Sequence, residues 1–475
     1  MRRLILVTVI LLAQAGCGPG AGVDTGALEP AARDQAGTFP ALQPWPENPR
    51  YWAYRGRPTL LLGGSPDDNL FQIPNLKEHL DQLGAAGGNY VRNTMSDRRE
   101  RGFEVYPFAR LDDGRFDLAR WNPEYWKRLD ALLELTAARG MVVQIEVWDR
   151  FDYAGAAWLA HPYNPANNIN YSAAESGLAP RYPQPAWENA NPFFETPPQL
   201  DNNLTVRRFQ QRFVDELLRR TLRHDHILYC IDNETSGMPA WSAYWAGHIR
   251  RRAAAANRRV FITEMWDDWN ITGDQHRHTL ERRDLYDYAD VSQNNHLHGD
   301  RHWDRFQTIR QRLAPRPYPL NAVKTYGKDG GPFGSTRDGL ERWWRHLIGG
   351  AAAVRFHRGG SGLGLSAPAA RSIMAAREIE ARVRLWEMEP ANHLLHGRQP
   401  NEAFATADPG RAYAVYFPDG GRIELDLRDA ADPFDVVWID VLGGRRVRQA
   451  VAAGVTKTRL AAPSSGHWVA LLTAR

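Results

Sequence analysis

Eight times between residues 59 and 356, a short run of β-branched and aromatic residues gives way to an amphipathic helical stretch. That alternation limits what the chain can become more than any other feature. The runs are 59–64, 89–93, 142–147, 227–231, 260–263, 289–293, 320–323 and Ala353–Phe356, and helical periodicity follows most of them, as at 76–84, 123–139, 205–223 and 340–349. Gly84 and Gly140 stand where two of these helices should stop. Such alternation predicts an α/β fold of parallel strands joined by helical crossovers. Eight units over about 350 residues match a (β/α)8 TIM barrel, although a doubly wound sheet shares the alternation.

Beyond about residue 396 the period changes to two, with strands expected at 412–417, 423–427, 435–441, 456–460 and 468–472 around turns at Pro418–Gly421 and Gly443-Gly444. A small C-terminal all-β sandwich over 396–475 is expected, behind a barrel over 38–395. Ahead of both, Arg2, Arg3, the apolar run 4–13 and small residues around Cys17 read as an export signal over 1–17, followed by a linker over 18–37. Gln14-Ala-Gly-Cys17 has the form of a bacterial lipoprotein cleavage box, with Gln14 where Leu is usual. The export signal makes the mature protein extracytoplasmic, and if the box works Cys17 carries a lipid anchor and the protein is a periplasmic or cell-surface lipoprotein. Cys230 then remains as a buried strand thiol without an intramolecular disulfide partner.

The balance of 59 Lys+Arg against 55 Asp+Glu gives a net charge of +4 with the signs interleaved, so no basic stripe argues for nucleic acid. Lysine occurs only at Lys77, Lys127, Lys324, Lys328 and Lys457, so a lysine in a functional position stands out. The 17 Trp suit stacking on sugars as well as an ordinary core.

The run Ile227-Leu-Tyr-Cys-Ile-Asp-Asn-Glu-Thr-Ser236 is apolar until Asp232, Asn233 and Glu234, groups that are costly to bury unless something uses them. An Asn-Glu pair at a barrel strand end suits a carboxylic acid that protonates a glycosidic oxygen, with a pKa raised by apolar surroundings. The competing explanation is a helix N-cap before Met238-Pro-Ala-Trp. Other expected strand ends are polar too: Asp68, Arg92 with Asn93, Glu146, Glu264, Lys324, and His357 between Arg355 and Arg358. Polar groups at most strand C-termini are what an active barrel face requires. The long stretch 148–200 would wall a cleft there. His296, His298 and His302 could be arranged around zinc, but they lack a clear ligand spacing, and hydrogen bonding of sugar hydroxyls by Asn294, Asn295 and His296 fits better. No cofactor is expected.

Two stretches resemble a known group. Tyr54-Arg-Gly-Arg-Pro-Thr-Leu-Leu-Leu-Gly-Gly64 is similar to the hairpin and first strand of clan-A-type glycoside hydrolases. Ala414-Val-Tyr-Phe-Pro-Asp-Gly-Gly421 and Val437-Trp-Ile-Asp-Val-Leu-Gly-Gly444 resemble the collagen-binding-type module that follows apiosidase-like barrels. The resemblance implies a glycosidase acting on a poly- or oligosaccharide, with Glu234 as acid/base at the end of strand four. It also implies a nucleophilic Glu at the end of strand seven, where Leu320-Asn-Ala-Val-Lys-Thr-Tyr326 instead carries Lys324. Glu264 is then the provisional second carboxylate. Asp68, Arg92, Asn93, Glu146, Trp148, Asn233, Asn295, His296, Lys324, Tyr326 and His357 are candidates to bind the sugar. Lys324 could lower the pKa of a neighbouring carboxylate, bind an acidic sugar, or simply pair with Glu234 or Glu264. Its presence favours the alternative of a non-catalytic carbohydrate-binding or surface-scaffold protein.

Overall fold

A computed structural model describes residues 41–96, 98, 101–182, 191–427, 432–451 and 454–475. The export signal, the linker, Cys17 and the first residues assigned to the barrel lie outside the described residues. The eight parallel strands are β1 (Leu61–Gly64), β2 (Tyr90–Thr94), β3 (Val142–Asp149), β4 (Ile227–Asn233), β5 (Ile262–Thr263), β6 (Ala289–Asp290), β7 (Leu320–Thr325) and β8 (Ala353–Phe356).

Their order around the sheet is β5-β4-β3-β2-β1-β8-β7-β6. The first strand thus pairs with the last, from Leu61 opposite Ala353 to Gly64 opposite Phe356. Between β5 and β6 the Asp287 amide donates to the Ile262 carbonyl at 2.8 Å. An open doubly wound sheet would keep its first and last strands from such a circuit, so the alternation has closed into a barrel. Every residue of β2, β3, β4 and β7 is buried, as expected of parallel strands covered on both faces.

Helices α1 (Leu76–Ala85), α2 (Pro123–Ala138), α3 (Leu204–Thr221), α4 (Pro239–Ala255), α5 (Asp274–Glu281), α6 (Gly299–Arg312), α7 (Thr336–Ile348) and α8 (Ala367–Glu380) follow the strands in turn. Gly140 (φ +65°) does follow the end of α2, but Gly84 lies inside α1. There the left-handed residue is Gly87 (φ +83°), and the Gly88 amide turns back onto the Leu83 carbonyl at 2.8 Å. Strand six is shorter than the expected 289–293. Asp290 takes the Ser292 amide (2.9 Å) and hydroxyl (3.0 Å) on its carboxylate, which bends Ser292–His296 into a 3-10 turn.

The hairpin Trp52–Tyr54/Arg57–Thr59, with Leu42–Pro44 beside it, closes the N-terminal end of the barrel. Trp52 is wholly buried, donates to Asn321 Oδ1 near the start of β7 (3.0 Å), and stands edge-on to Phe261 and Tyr288. The C-terminal strands form an antiparallel six-stranded sheet and a three-stranded one. Glu389–Pro390 and Leu395–His396 already belong to them. The sandwich packs on α7 and α6: Trp344 stacks on Tyr416 at 5.4 Å, and Trp303 meets Phe404 at 5.2 Å. That contact braces the helix following β7.

Candidate active site

At the strand C-termini a charged network surrounds Arg92, which is itself wholly buried. Its Nε donates to Glu146 Oε1 (2.6 Å), its Nη2 to Asn233 Oδ1 (2.9 Å), and its Nη1 pairs with Asp68. Glu146 also accepts from the Thr94 hydroxyl at 2.8 Å. Asp68 receives Arg358 Nε at 2.9 Å and lies 3.7 Å from His357 Nδ1. Burial would raise the Asp68 pKa, but Arg92, His357 and Arg358 outweigh it and hold the carboxyl well below the usual range. A buried cation of this kind persists only because its donors are matched by acceptors.

Asn233 Oδ1 accepts from Lys324 Nζ (2.8 Å) as well as from Arg92, linking this hub to the next residue. Glu234 lies in the left-handed region at φ +58°, which costs a non-glycine residue on the order of 1–3 kcal/mol and tends to mark a functional position. Lys324 Nζ donates to Glu234 Oε1, the Tyr326 hydroxyl donates to the same oxygen at 2.9 Å, and Arg150 Nη2 is 3.9 Å from Oε2. The carboxylate keeps 13% of its side chain exposed at the mouth. None of the polar residues before α4 caps it: the cap position is Met238, with no side-chain bond.

The electrostatics correct one expectation. Burial pushes Glu234 up, but Lys324, with Arg150 and Tyr326, brings it down to about 2. Glu234 is therefore a carboxylate near neutral pH, because a cation sits where apolar surroundings were expected.

A carboxyl raised above its ordinary value stands one strand along. Past the formal ends of β4 and β5, Thr235 N donates to Met265 O and Asp267 N to Thr235 O, both at 2.8 Å, which brings Asp267 beside Glu234. Arg150 Nη2 lies 2.6 Å from Asp267 Oδ2. Since the same nitrogen is 3.9 Å from Glu234 Oε2, the two distances together put these oxygens within about 6.5 Å, close enough to act on one bond. Burial, with the charge of Glu234 added, raises Asp267 to about 6 against the pull of Arg150 and Lys324.

Glu264, expected as the second carboxylate, lies beneath the mouth and is 1% exposed. Its Oε1 accepts the amides of Asp232 (3.1 Å) and Met265 (2.8 Å). Burial pushes it up to about 8, raises Asp232 well above its ordinary value, and lifts Asp290 to about 7. All three are thus buried acids raised above their ordinary values.

Asp68, Arg92, Glu146, Asn233, Glu234, Lys324, Tyr326 and His357 thus converge, His296 stands at their rim, and Trp148, Asn93, Asn295 and Asn294 are committed elsewhere. Trp148 is buried among Phe193, Phe213, Trp241 and Trp245 at 5.3–5.9 Å, because its ring turns outward beneath the helices. Asn93 Oδ1 accepts the Phe71 amide at 2.8 Å, which commits it to backbone. Asn295 clamps the end of β7: its Nδ2 donates to the Ser292 and Lys324 carbonyls, and its Oδ1 accepts the Tyr326 amide at 3.0 Å. Asn294 is likewise buried, donating to the His302 carbonyl at 2.9 Å. His296 is exposed at the rim, its ring 5.9 Å from Phe333. The other two histidines lie elsewhere, His298 on Asp338 (2.8 Å) and His302 buried against His346. Among the described residues, no group of three His, Cys, Asp or Glu is set to hold a metal.

Sequence reasoning missed Arg150 and Asp267. The usable signal was the Asp267-Asp268 doublet, which lies three residues beyond the expected strand end and follows an aromatic residue.

No family model matches this chain, and no curated protein matches it. Solved structures do. A glycoside hydrolase family 5 protein from Bacteroides vulgatus ATCC 8482 is similar at TM-score 0.61 and 12% identity, over 91% of this chain and 94% of that one. A further glycoside hydrolase is similar at TM-score 0.60 and 12% identity, over 91% and 97%. At that identity the likeness speaks for the fold: a (β/α)8 barrel with a C-terminal all-β domain.

Proposed function

We propose that this protein hydrolyses a glycosidic bond in a poly- or oligosaccharide, with Glu234 as the carboxylate that meets the anomeric carbon and Asp267 as the acid that protonates the leaving oxygen. One observation carries the proposal: two neighbouring carboxylates sharing Arg150 are driven apart, to about 2 and about 6, which is how one site holds an ionised group and a proton donor together. The ring of polar strand ends and the family 5 fold of a solved neighbour support the same reading.

In the first step a Glu234 oxygen bonds to the anomeric carbon as the bond to the leaving oxygen breaks, and Asp267 gives that oxygen its proton. In the second, Asp267 takes a proton from water, the water oxygen bonds to the anomeric carbon, and Glu234 departs. Oxygens within about 6.5 Å are compatible with this retaining course, for which carboxyl pairs stand ~5–5.5 Å apart, and the product anomer decides it against inversion, for which they stand ~6.5–9.5 Å apart. Lys324 and Tyr326 hold Glu234 ionised and oriented. The buried cluster of Asp68, Arg92 and Glu146 fixes Asn233 and the floor of the site.

The test is release of reducing sugar from a panel of polysaccharides by wild type, Glu234→Gln and Asp267→Asn. Each variant should fall by roughly 10²–10⁴-fold or more. On a dinitrophenyl glycoside, whose leaving group needs no proton, kcat/KM of Asp267→Asn should recover while its kcat stays low, because the second step still lacks the base, and Glu234→Gln should recover neither. Full activity in Glu234→Gln, or an inverted product anomer by NMR, sinks the assignment.

A second reading is favoured by the tight Lys324–Glu234 pair, which could keep the carboxylate from reacting. It describes a barrel that binds a glycan without cleaving it, and glycan binding with no sugar released would select it. We further read the sandwich as the collagen-binding-type module of apiosidase-like proteins, on its Pro418-Asp-Gly-Gly421 and Gly443-Gly444 turns, and the whole as an exported lipoprotein.

A further inference from the structure

Among the described residues, six large apolar side chains stand exposed, and Trp269 alone of these is aromatic. Single exposed apolar residues need no explanation in themselves, but Trp269 is both well placed and held. It follows Asp267 by two residues, so their α-carbons lie within about 7 Å. The turn carrying it is fixed, with Asn270 N on Asp268 Oδ1 (2.8 Å) and His276 Nε2 against the Asp268 carbonyl (2.6 Å). Arg305 of α6 places its guanidinium 5.2 Å from the indole and donates from Nη1 to the Trp269 carbonyl at 3.3 Å.

From Trp269 a line of rings runs inward: His296 at 6.4 Å, Phe333 a further 5.9 Å on, then Tyr326 at 4.5 Å, whose hydroxyl holds Glu234. An indole pinned at one side of the proposed acid, at the outer end of an aromatic wall leading to the proposed nucleophile, has the form of a stacking platform. A pyranose ring can lay its C–H face on such a surface and bury apolar area at little conformational cost.

We propose that Trp269 floors a sugar subsite on the leaving-group side of Asp267, so that the substrate is a saccharide chain continuing past the cleaved bond. This rests on the assignment of Glu234 and Asp267, and the experiment separates the two. Binding is read first, by tryptophan fluorescence and calorimetry on Glu234→Gln titrated with cello-, manno-, xylo- and maltohexaose. The same titration on Glu234→Gln/Trp269→Ala should weaken the best hexaose by roughly 10-fold, and Trp269→Phe should restore most of the loss.

In the active protein, Trp269→Ala should lower the ratio of kcat/KM for that hexaose over kcat/KM for the matching glycosyl fluoride, whose leaving group is too small to reach the indole, by a similar factor. Equal hexaose affinity with and without the indole overturns the proposal. So does an equal loss on hexaose and fluoride, and so does failure of every hexaose to bind. Hexaose binding that depends on Trp269, without any hydrolysis, leaves the platform standing and removes the catalytic assignment instead.

Discussion

Lys324→Met is the perturbation that most directly tests how the site assigns its protons. Glu234 stands at about 2 against 4.5 for an ordinary glutamate, and at about 1.4 kcal/mol per pH unit this is roughly 3 kcal/mol in favour of the carboxylate, after burial has been overcome. Lys324 contributes the largest opposing charge and a hydrogen bond as well. Without it, only Arg150 at 3.9 Å and the Tyr326 hydroxyl oppose burial, so Glu234 should rise to about 5 or above. Asp267 should rise by less, because Lys324 ranks behind burial, Arg150 and Glu234 among its influences.

The assay is kcat/KM against pH from about 3 to 8. Wild type should show no acidic limb down to about pH 3 and should decline on the alkaline side through about 6, as Asp267 loses its proton. In Lys324→Met an acidic limb should appear near pH 5, narrowing the profile to a low, sharp bell. The stability sign follows from linkage. A depressed carboxylate stabilises the fold above its unfolded value and loses that contribution as pH falls through its folded value, so in wild type this contribution disappears from about 4.5 down to about 2. The variant should be destabilised by roughly 3 kcal/mol at neutral pH, where Glu234 loses its main counter-charge and keeps only Arg150 and Tyr326, and the gap should close in acid. A Lys324→Met profile with no new acidic limb above about pH 3 would refute the argument.

Glu264 tests the opposite sign. Its pKa is raised to about 8, so the folded state holds a proton the unfolded state releases, and stability should fall by at most about 1.4 kcal/mol per pH unit as pH rises from 4.5 toward 8; Glu264→Gln should flatten that slope in pH-dependent thermal melts while remaining active. Cys17→Ser should move the protein from the membrane fraction to the soluble extracytoplasmic fraction, and unchanged membrane association would remove the lipid anchor.

The architecture was largely legible because strand and helix periods are local properties. Runs such as β3 and β4, apolar on both faces, declare themselves, and so does the shift to period two after the barrel. Closure was not legible in the same way, since it depends on β1 meeting β8 across nearly three hundred residues of chain. The shortness of β5 and β6 was hidden too: periodicity cannot show that Asp290 turns its carboxylate onto the next residues and ends the strand. Trp148 and Asn295 were misjudged for a related reason. Position near a strand end says nothing about whether a ring turns outward beneath the helices or an amide clamps the neighbouring strand.

The site shows where local inference stops. Glu234 and Lys324 were each readable as polar strand ends, yet the chemistry lies in their contact across ninety residues, which reverses the protonation expected of Glu234. In a barrel all strand C-termini face one mouth, so a role is not tied to one strand; it goes to whichever group the local charges suit. A cation on β7 next to the carboxylate after β4 makes that carboxylate a poor proton donor, and a neighbouring acid that burial and the Glu234 charge raise is Asp267. That residue escaped notice because the pairing of β4 and β5 continues through Thr235 and Trp266 as loop backbone bonds, with no strand-like pattern in the sequence. A lysine where a second carboxylate was expected is therefore compatible with the proposed hydrolase, because it lowers Glu234 while Asp267, one strand along, is raised.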